Sequence, residues 1–289
     1  MNVDAEEAFE AVVDEVVKTA PRIADGFADG RTYEGDENPS GHEVLGADLH
    51  ANRLLKECIT DLEGVGGFAS EEEEGVVDCG DGVGVAVDPL DGSSNLVTNN
   101  PAGVILGVYD APLPSPGESL VGAGYVLFGP LTTAVVADGD GVVEYVVETE
   151  RGEEGAEGVR VDERELTLPE PTVYGFGGGR ENWTDGFAGF ADEVEHELKL
   201  RYGGSMVGDV NQVLHKGGIF AYPALRERPQ GKLRTLFEGA PMAYIIETAG
   251  GGSSDGEGSL LEREPDGVHD RTPVYLGNET VIERLEEEV

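Results

Sequence analysis

At 289 residues the chain can form one large domain or two closely joined ones, since single hydrophobic cores stop growing near roughly 250 to 300 residues. Its 59 acidic residues against 19 basic ones give a net charge of −40, a field that repels phosphate backbones and anionic lipid and excludes a nucleic-acid binder of the basic-patch kind. Whole-chain disorder is excluded by 39% hydrophobic residues arranged in Val-rich runs between glycines. The acidity is spread along the whole length, the pattern of a halophile's protein, for which short screening lengths make self-repulsion tolerable.

The start, MNVDAEEAFEAVVDEVV, has no basic or long apolar region, and no uncharged run approaches the about 18 apolar residues that a bilayer span needs. A cytoplasmic protein without a membrane partner is expected. Residues Asp4 to Phe27 place Phe9, Val12, Val13, Val16 and Val17 at helical spacing, and Leu45 to Leu62 repeat the pattern. The Gly- and Asp-rich stretch Gly26 to Gly41 between them reads as a loop. Cys58 and Cys79 read as reduced structural thiols, because one pair provides neither a disulfide framework nor a zinc spacing.

After Gly64, short apolar runs divided by Gly, Pro and Asp (66–70, 83–87, 103–109, 122–128, 132–137 and 142–147) predict a largely antiparallel sheet. A charged, Gly-rich segment, Glu148 to Glu165, follows. Beyond it strands near 172–176, 198–202 and 218–222 alternate with helices at 183–194, 205–215 and 236–248, which is the signature of βαβ units. Residues Ser253 to Arg271 read as a soft loop before a last strand, Pro273 to Leu276, and a charged terminal helix. No repeat with a period of roughly 20 to 50 residues is present. The sum is an α/β fold of layered architecture with two sub-domains, 1–165 and 166–289.

The chemistry concentrates in GVGVAVDPLDGSSN, where a buried-type strand runs into Asp88 and Asp91 with a Pro stiffening the turn between them. The small-residue turn that follows, Gly92-Ser93-Ser94-Asn95, can turn backbone N–H groups toward an anion. A second acidic cluster, SEEEE at Ser70 to Glu74, ends the strand from Gly66, and Glu238 heads an apolar helix. Taken singly, each reads as a capped turn, a solvated surface or a helix N-terminal carboxylate. Taken together they need a cation, because two unit charges 4 Å apart at a dielectric of about 20 interact by about 4 kcal/mol. Oxygen-only donors suit Mg²⁺ or Mn²⁺ and not zinc.

Four stretches, ASEEEE at 69–74, VDPLDGSSN at 87–95, LRYGGSMVGDV through GGIFAYPA at 200–224, and GKLRTLFEGAPMAYIIETAGG at 231–251, carry a resemblance to a known family. The chain resembles the class I fructose-1,6-bisphosphatases, within the lithium-sensitive, magnesium-dependent sugar phosphatases that include the inositol monophosphatases. Leu236-Phe237-Glu238 stands where the latter carry a Trp-Asp motif. The resemblance implies an α-β-α-β-α sandwich and hydrolysis of the 1-phosphate of fructose 1,6-bisphosphate to fructose 6-phosphate, a step of gluconeogenesis, with two or three Mg²⁺ ions (or Mn²⁺) per site. It implies metal binding by Glu71, Asp88, Asp91, Glu238 and the Leu90 carbonyl, and a water-activating role for Glu72 with Asp48 orienting the water. Asp91 counts among the catalytic groups as well. Gly92, Ser93 and Ser94 match the phosphate cradle, while Arg201, Tyr202, Gly204, Met206, Tyr222 and Lys232 match the sugar and distal-phosphate site in the second sub-domain. The arginine of that family reaches into a neighbouring subunit, which implies a homodimer or homotetramer.

Three departures stand out. His42 replaces a carboxylate six positions before Asp48, Gly177-Gly178-Gly179 replaces an Asn-Glu-Gly, and Arg180 follows where a tyrosine is common. Arg180 can offer a charged fork to the distal phosphate. The amino-terminal region is too short and acidic for an AMP-inhibition site. The rival readings keep the chemistry and change the ester, to sedoheptulose 1,7-bisphosphate or an inositol monophosphate, or drop catalysis for an acidic cation-binding protein. The remaining histidines, His50, His196, His215 and His269, show no metal spacing, and Trp183 reads as core.

Overall fold

The computed structural model describes residues 3–37, 43–152 and 155–289. In chain order the elements are α1 (Ala5–Asp25), β1 (Tyr33–Glu37), β2 (Glu43–Leu45), α2 (Gly46–Thr60), β3 (Val65–Ser70), β4 (Val77–Asp78), β5 (Val83–Asp91), α3 (Asn95–Thr98), β6 (Ala102–Tyr109), β7 (Leu120–Phe128), β8 (Thr132–Ala137), β9 (Val142–Gly152) and β10 (Gly155–Leu166). The second half adds β11 (Val173–Phe176), α4 (Asp185–Glu197), β12 (Lys199–Leu200), α5 (Met206–Lys216), β13 (Gly218–Tyr222), β14 (Leu233–Arg234), α6 (Ala240–Thr248), β15 (Gly252–Ser254), β16 (Arg271–Thr272), β17 (Val274–Gly277) and α7 (Glu279–Glu286). Among the described residues, no helix is long and apolar enough to cross a membrane.

Two sheets organise these elements into five layers. The larger runs β10-β9-β8-β7-β6-β5-β3-β4 and is antiparallel except at β3–β5; the smaller runs β12-β11-β13-β17-β15, parallel at β12, β11 and β13. Alternation along each strand decides which layer a side chain joins. Val85, Val87, Val104 and Leu106 face α1 and α2, whose Phe9, Val12, Val16, Leu54 and Leu55 fill that layer. On the opposite face Ile105, Ala123, Tyr125 and Val135 meet α5 and α6, which also cover Phe220, Val274 and Leu276 of the smaller sheet. The far side of that sheet (Tyr174, Phe176, Ile219, Tyr275) packs on Phe187 and Phe190 of α4 and Val281 and Leu285 of α7, with Trp183 buried among them. The expected layered α-β-α-β-α architecture is therefore the observed one, and the central helical layer is a core shared by both halves.

Local sequence accounts for the ends. Asp4 caps α1 by accepting the Glu7 N–H at 2.8 Å, and Ser205 caps α5 by accepting from Gly208 N–H at 3.3 Å. Three segments differ from expectation. Tyr33–Glu37, inside the expected loop, pairs with Glu43–Leu45. The charged stretch 148–165 is the outer hairpin β9–β10, which lies at the sheet edge with Glu148, Glu150, Glu157 and Glu163 exposed, so its strand pattern is hidden under surface charge. The expected helix from Leu236 begins instead as a π-helical turn, Thr235–Gly239, ahead of α6.

Candidate active site

Asp88 and Asp91 are three residues apart, so regular strand alternation would send them to opposite faces of the sheet. The strand prevents this with a bulge: Asp88 pairs with Ile105 and Asp91 with Gly103, leaving an extra residue between them on β5. Pro89 sits in that bulge, where the missing N–H costs no ladder bond. Both carboxylates thus face the central helical layer.

Each is then fixed by backbone donors. Asp88 Oδ1 accepts the Leu90 N–H at 2.9 Å, and Asp91 Oδ2 accepts the Val207 N–H at 2.7 Å, in the first turn of α5 where the helix dipole favours an anion. From the other side the π-helical turn supplies Glu238, whose Oε2 accepts the Arg234 N–H at 2.6 Å. One oxygen from each of Asp88, Asp91 and Glu238 lies within 4.8 Å of the other two.

All three are buried, and their charge is correspondingly costly. Burial first, then repulsion from Glu71, Asp91 and Glu238, drives Asp88 well above the ordinary carboxylate range. Asp91 is pushed up to about 7 by burial, against the opposing Val207 and Met206 N–H groups. Glu238 rises to about 8 through burial and the charges of Glu71 and Asp91. Four carboxylates that repel one another in a site with oxygen donors only fit a hard divalent cation, which would replace mutual repulsion with shared attraction. Glu71 contributes from the end of β3 and lies 3.6 Å from Arg234 Nη2.

The cluster forms the floor of a cavity of about 290 Å³ lined also by Asp48, Glu72, Leu90, Gly92, Ser93, Ser94, Tyr202, Gly204, Met206, Tyr222 and Lys232. Asp48, in the first turn of α2, accepts the Leu45 N–H at 2.8 Å. Burial lifts its carboxyl to about 6. Gly92 turns the chain with φ +73°, and a Cβ there would lie 2.2 Å from that of Ser205, so the turn and the head of α5 can meet only at glycine. The Leu90 carbonyl already accepts the Ser93 N–H at 3.2 Å. A second lone pair remains for a cation.

At the opposite wall Lys232 Nζ stands 5.3 Å from the centre of the Tyr222 ring. Gly177 makes room for that ring, since a Cβ would fall 2.3 Å from Tyr222 Cδ2. Tyr202 is 44% exposed and its hydroxyl is pushed up to about 12, chiefly by partial burial.

Family models for the N-terminal and C-terminal domains of fructose-1-6-bisphosphatase match residues 11–154 and 168–289. The chain belongs to the fructose-1,6-bisphosphatase family. It is 54% identical over 283 residues to the class 1 fructose-1,6-bisphosphatase of Natronomonas pharaonis, spanning 97% of this chain and 98% of the relative. A class 1 fructose-1,6-bisphosphatase of Haloarcula marismortui is 50% identical over 284 residues, spanning 98% and 95%. Both relatives come from halophilic archaea, in keeping with the charge. Among solved structures the chain is similar to Leishmania major fructose-1,6-bisphosphatase in holo form, with a TM-score of 0.85 at 29% identity over 98% of this chain and 92% of that one.

Fifteen of the seventeen candidate residues named from the sequence line this one cavity. The others, Arg180 and Arg201, lie outside it. Arg180 pairs with Asp192 and, at 3.3 Å, with Glu195, and its guanidinium carbon sits 5.6 Å from the Trp183 ring centre. Arg201 is exposed beside the edge strand β12. His42 lies outside the described residues. Sequence reasoning missed two charged groups of the fructose-1,6-bisphosphatase cavity. Arg234, 1% exposed, is a buried cation beside the carboxylates, and its one signal was a basic residue four positions before Glu238. Asp209 accepts the Gly203 and Gly204 N–H groups at 2.6 and 3.2 Å and so shapes the loop between Tyr202 and α5. Burial raises it to about 6.

Proposed function

We propose that the chain hydrolyses the 1-phosphate of fructose 1,6-bisphosphate to fructose 6-phosphate and phosphate in a salt-rich cytoplasm, using divalent metal ions of the Mg²⁺ or Mn²⁺ kind, two or three per site. The observation that carries this reading is the convergence in one cavity of Asp88, Asp91 and Glu238 with the Gly92–Ser94 turn and Lys232. Glu71, Asp88, Asp91, Glu238 and the Leu90 carbonyl would hold the metal. Bound there, the ions would lower the pKa of a water and offset the charge that develops on the departing sugar oxygen.

The chain's own groups do the rest. Glu72 takes the proton of the attacking water, and Asp48, its carboxyl lifted by burial, orients that water by hydrogen bonding. The turn formed by Gly92, Ser93 and Ser94 receives the phosphate that leaves. Lys232, Tyr202 and Tyr222 hold the far end of the sugar bisphosphate, aided by Gly204 and Met206. In a homodimer or homotetramer the exposed Arg201 serves a neighbouring cavity. The division into sub-domains 1–165 and 166–289 places the metal groups mainly in the first and the sugar groups in the second.

One observation favours a second reading. Arg180, bound to Asp192 and Glu195, contributes nothing to the distal wall within one chain, which favours esters that rely less on a second phosphate, such as inositol 1-phosphate, or a longer bisphosphate such as sedoheptulose 1,7-bisphosphate. Phosphate release from these three substrates at matched concentration, with Mg²⁺ in roughly molar KCl, decides. Preference for the fructose ester is expected; equal or faster turnover of inositol 1-phosphate would refute the substrate assignment.

A further inference from the structure

The run Ser70–Glu74 carries four glutamates, of which the reading above uses two. The third, Glu73, is tied on three sides. Its Oε1 accepts from Asn52 Nδ2 at 2.9 Å, its Oε2 meets Lys56 Nζ at 2.9 Å, and its backbone carbonyl accepts from His269 Nε2 at 2.8 Å. Asp48, Asn52 and Lys56 follow one another at four-residue steps and so share a face of α2. The helix face that presents Asp48 to the cavity is therefore the one that Glu73 grips.

Two details distinguish this grip from an ordinary surface ion pair, which contributes little. Asn52 is buried, and its Oδ1 takes no hydrogen bond among the described residues, so its amide is oriented by Glu73. On the other flank, the His269 ring lies 5.6 Å, centre to centre, from that of Phe237, the neighbour of Glu238. Glu73 itself does not line the cavity.

We propose that Glu73 is a positioning residue for the metal-binding turn: it clamps Glu71 and Glu72 against α2 and sets their distance from Asp48. The inference rests on the metal-dependent reading given above. Without the clamp the turn keeps its carboxylates but holds them in the productive arrangement for less of the time. Loss of the partners that orient metal-ligating groups typically changes metal affinity or activity by roughly 10-fold to 100-fold.

The test uses the full chain and two readouts: the Mg²⁺ midpoint of the rise in melting temperature, and the Mg²⁺ midpoint of fructose 1,6-bisphosphate hydrolysis. Glu73→Gln keeps an oxygen for Asn52 and loses the charge facing Lys56; Lys56→Met removes the other partner. Both are expected to move both midpoints upward by roughly 10-fold or more, with KM for the sugar ester at saturating Mg²⁺ unchanged. Lys56→Arg, which restores the charge, and Glu74→Gln, which removes an equal charge from the exposed next residue, are expected to leave the midpoints in place. A merely structural role would lower the melting temperature equally with and without Mg²⁺, and unmoved midpoints in Glu73→Gln and Lys56→Met would overturn the proposal. Should Glu73→Gln fail to fold, the two Lys56 variants decide. A wild-type chain with no Mg²⁺ response would overturn the metal-dependent reading and this inference with it.

Discussion

Replacing Glu238 with Gln removes a charge from the buried cluster and leaves an oxygen to accept the Arg234 N–H bond, so it isolates the electrostatic cost of the site. With ligand oxygens 4.8 Å apart or less, each pair of ionised carboxylates repels by about 3 to 4 kcal/mol at a dielectric of about 20. The burial and repulsion that act on Glu238 lead to a similar size. Glu238 rises from 4.5 to about 8, and at about 1.4 kcal/mol per pH unit the ionised carboxyl costs the metal-free fold on the order of 5 kcal/mol. Because the folded-state value is raised, the stability contribution is complete below about 4.5 and is lost as the pH climbs through about 8. Neighbouring carboxylates share protons, so about half of that cost is expected to be recovered by the substitution. At about 2 to 4 °C per kcal/mol for a chain of this size, Glu238→Gln should melt roughly 5 to 10 °C above wild type at about pH 8 with chelator present. Addition of Mg²⁺ should reverse the order: wild type gains about 3 kcal/mol at a hundredfold excess over Kd, and the variant gains little. Calorimetric melting of both proteins, with chelator and with Mg²⁺, makes the comparison. A variant that is less stable than wild type in chelator, or that responds equally to Mg²⁺, would show that these carboxylates neither repel as argued nor hold the ion.

Binding of Mg²⁺ near neutral pH is expected to release protons, because Asp91 and Glu238 are partly protonated with values of about 7 and about 8; calorimetric heats that do not change with the ionisation enthalpy of the buffer would refute this. Gly92→Ala should lower kcat/KM by roughly 100-fold and reduce the melting temperature, since its Cβ would fall 2.2 Å from that of Ser205; near-normal kinetics would contradict the assigned turn. Lys232→Met should raise KM for fructose 1,6-bisphosphate by about 10-fold to 100-fold, as expected for loss of a charged hydrogen bond, with kcat at saturation little changed. Phe187→Ala, at the centre of the aromatic layer behind the smaller sheet, should cost about 3 to 5 kcal/mol of stability and leave the Mg²⁺ midpoint where it is, which denaturant melts and metal titrations would check.

Period and punctuation made most of the fold legible. Apolar spacing gave α1, α2, α4 and α5 to within a few residues, because each buries one stripe, and Val-rich runs marked the central strands, which are buried on both faces. The end of β9 and all of β10 escaped because β10 buries little beyond Ala156 and Leu166. An acidic surface writes charge over the alternation there. The site was legible where chemistry is local in sequence, as in DPLDGSS and SEEEE. Asp209 and Arg234 were missed because their meaning lies in partners that only folding supplies: two backbone N–H groups for the first, and carboxylates on other segments for the second. Glu73 was hidden by its neighbours, since four identical residues give no sign of which one faces α2.

The bulge in β5 makes the location of the site a matter of counting. With the bulge in place, one residue more between Asp88 and Asp91 would turn Asp91 toward α1 and α2 and away from α5 and Glu238, whatever the identities of the surrounding side chains. Point substitutions can weaken such a site, but they cannot move it to the other side of the sheet. An insertion can, which makes this short stretch of backbone a place where chain length is constrained as well as composition.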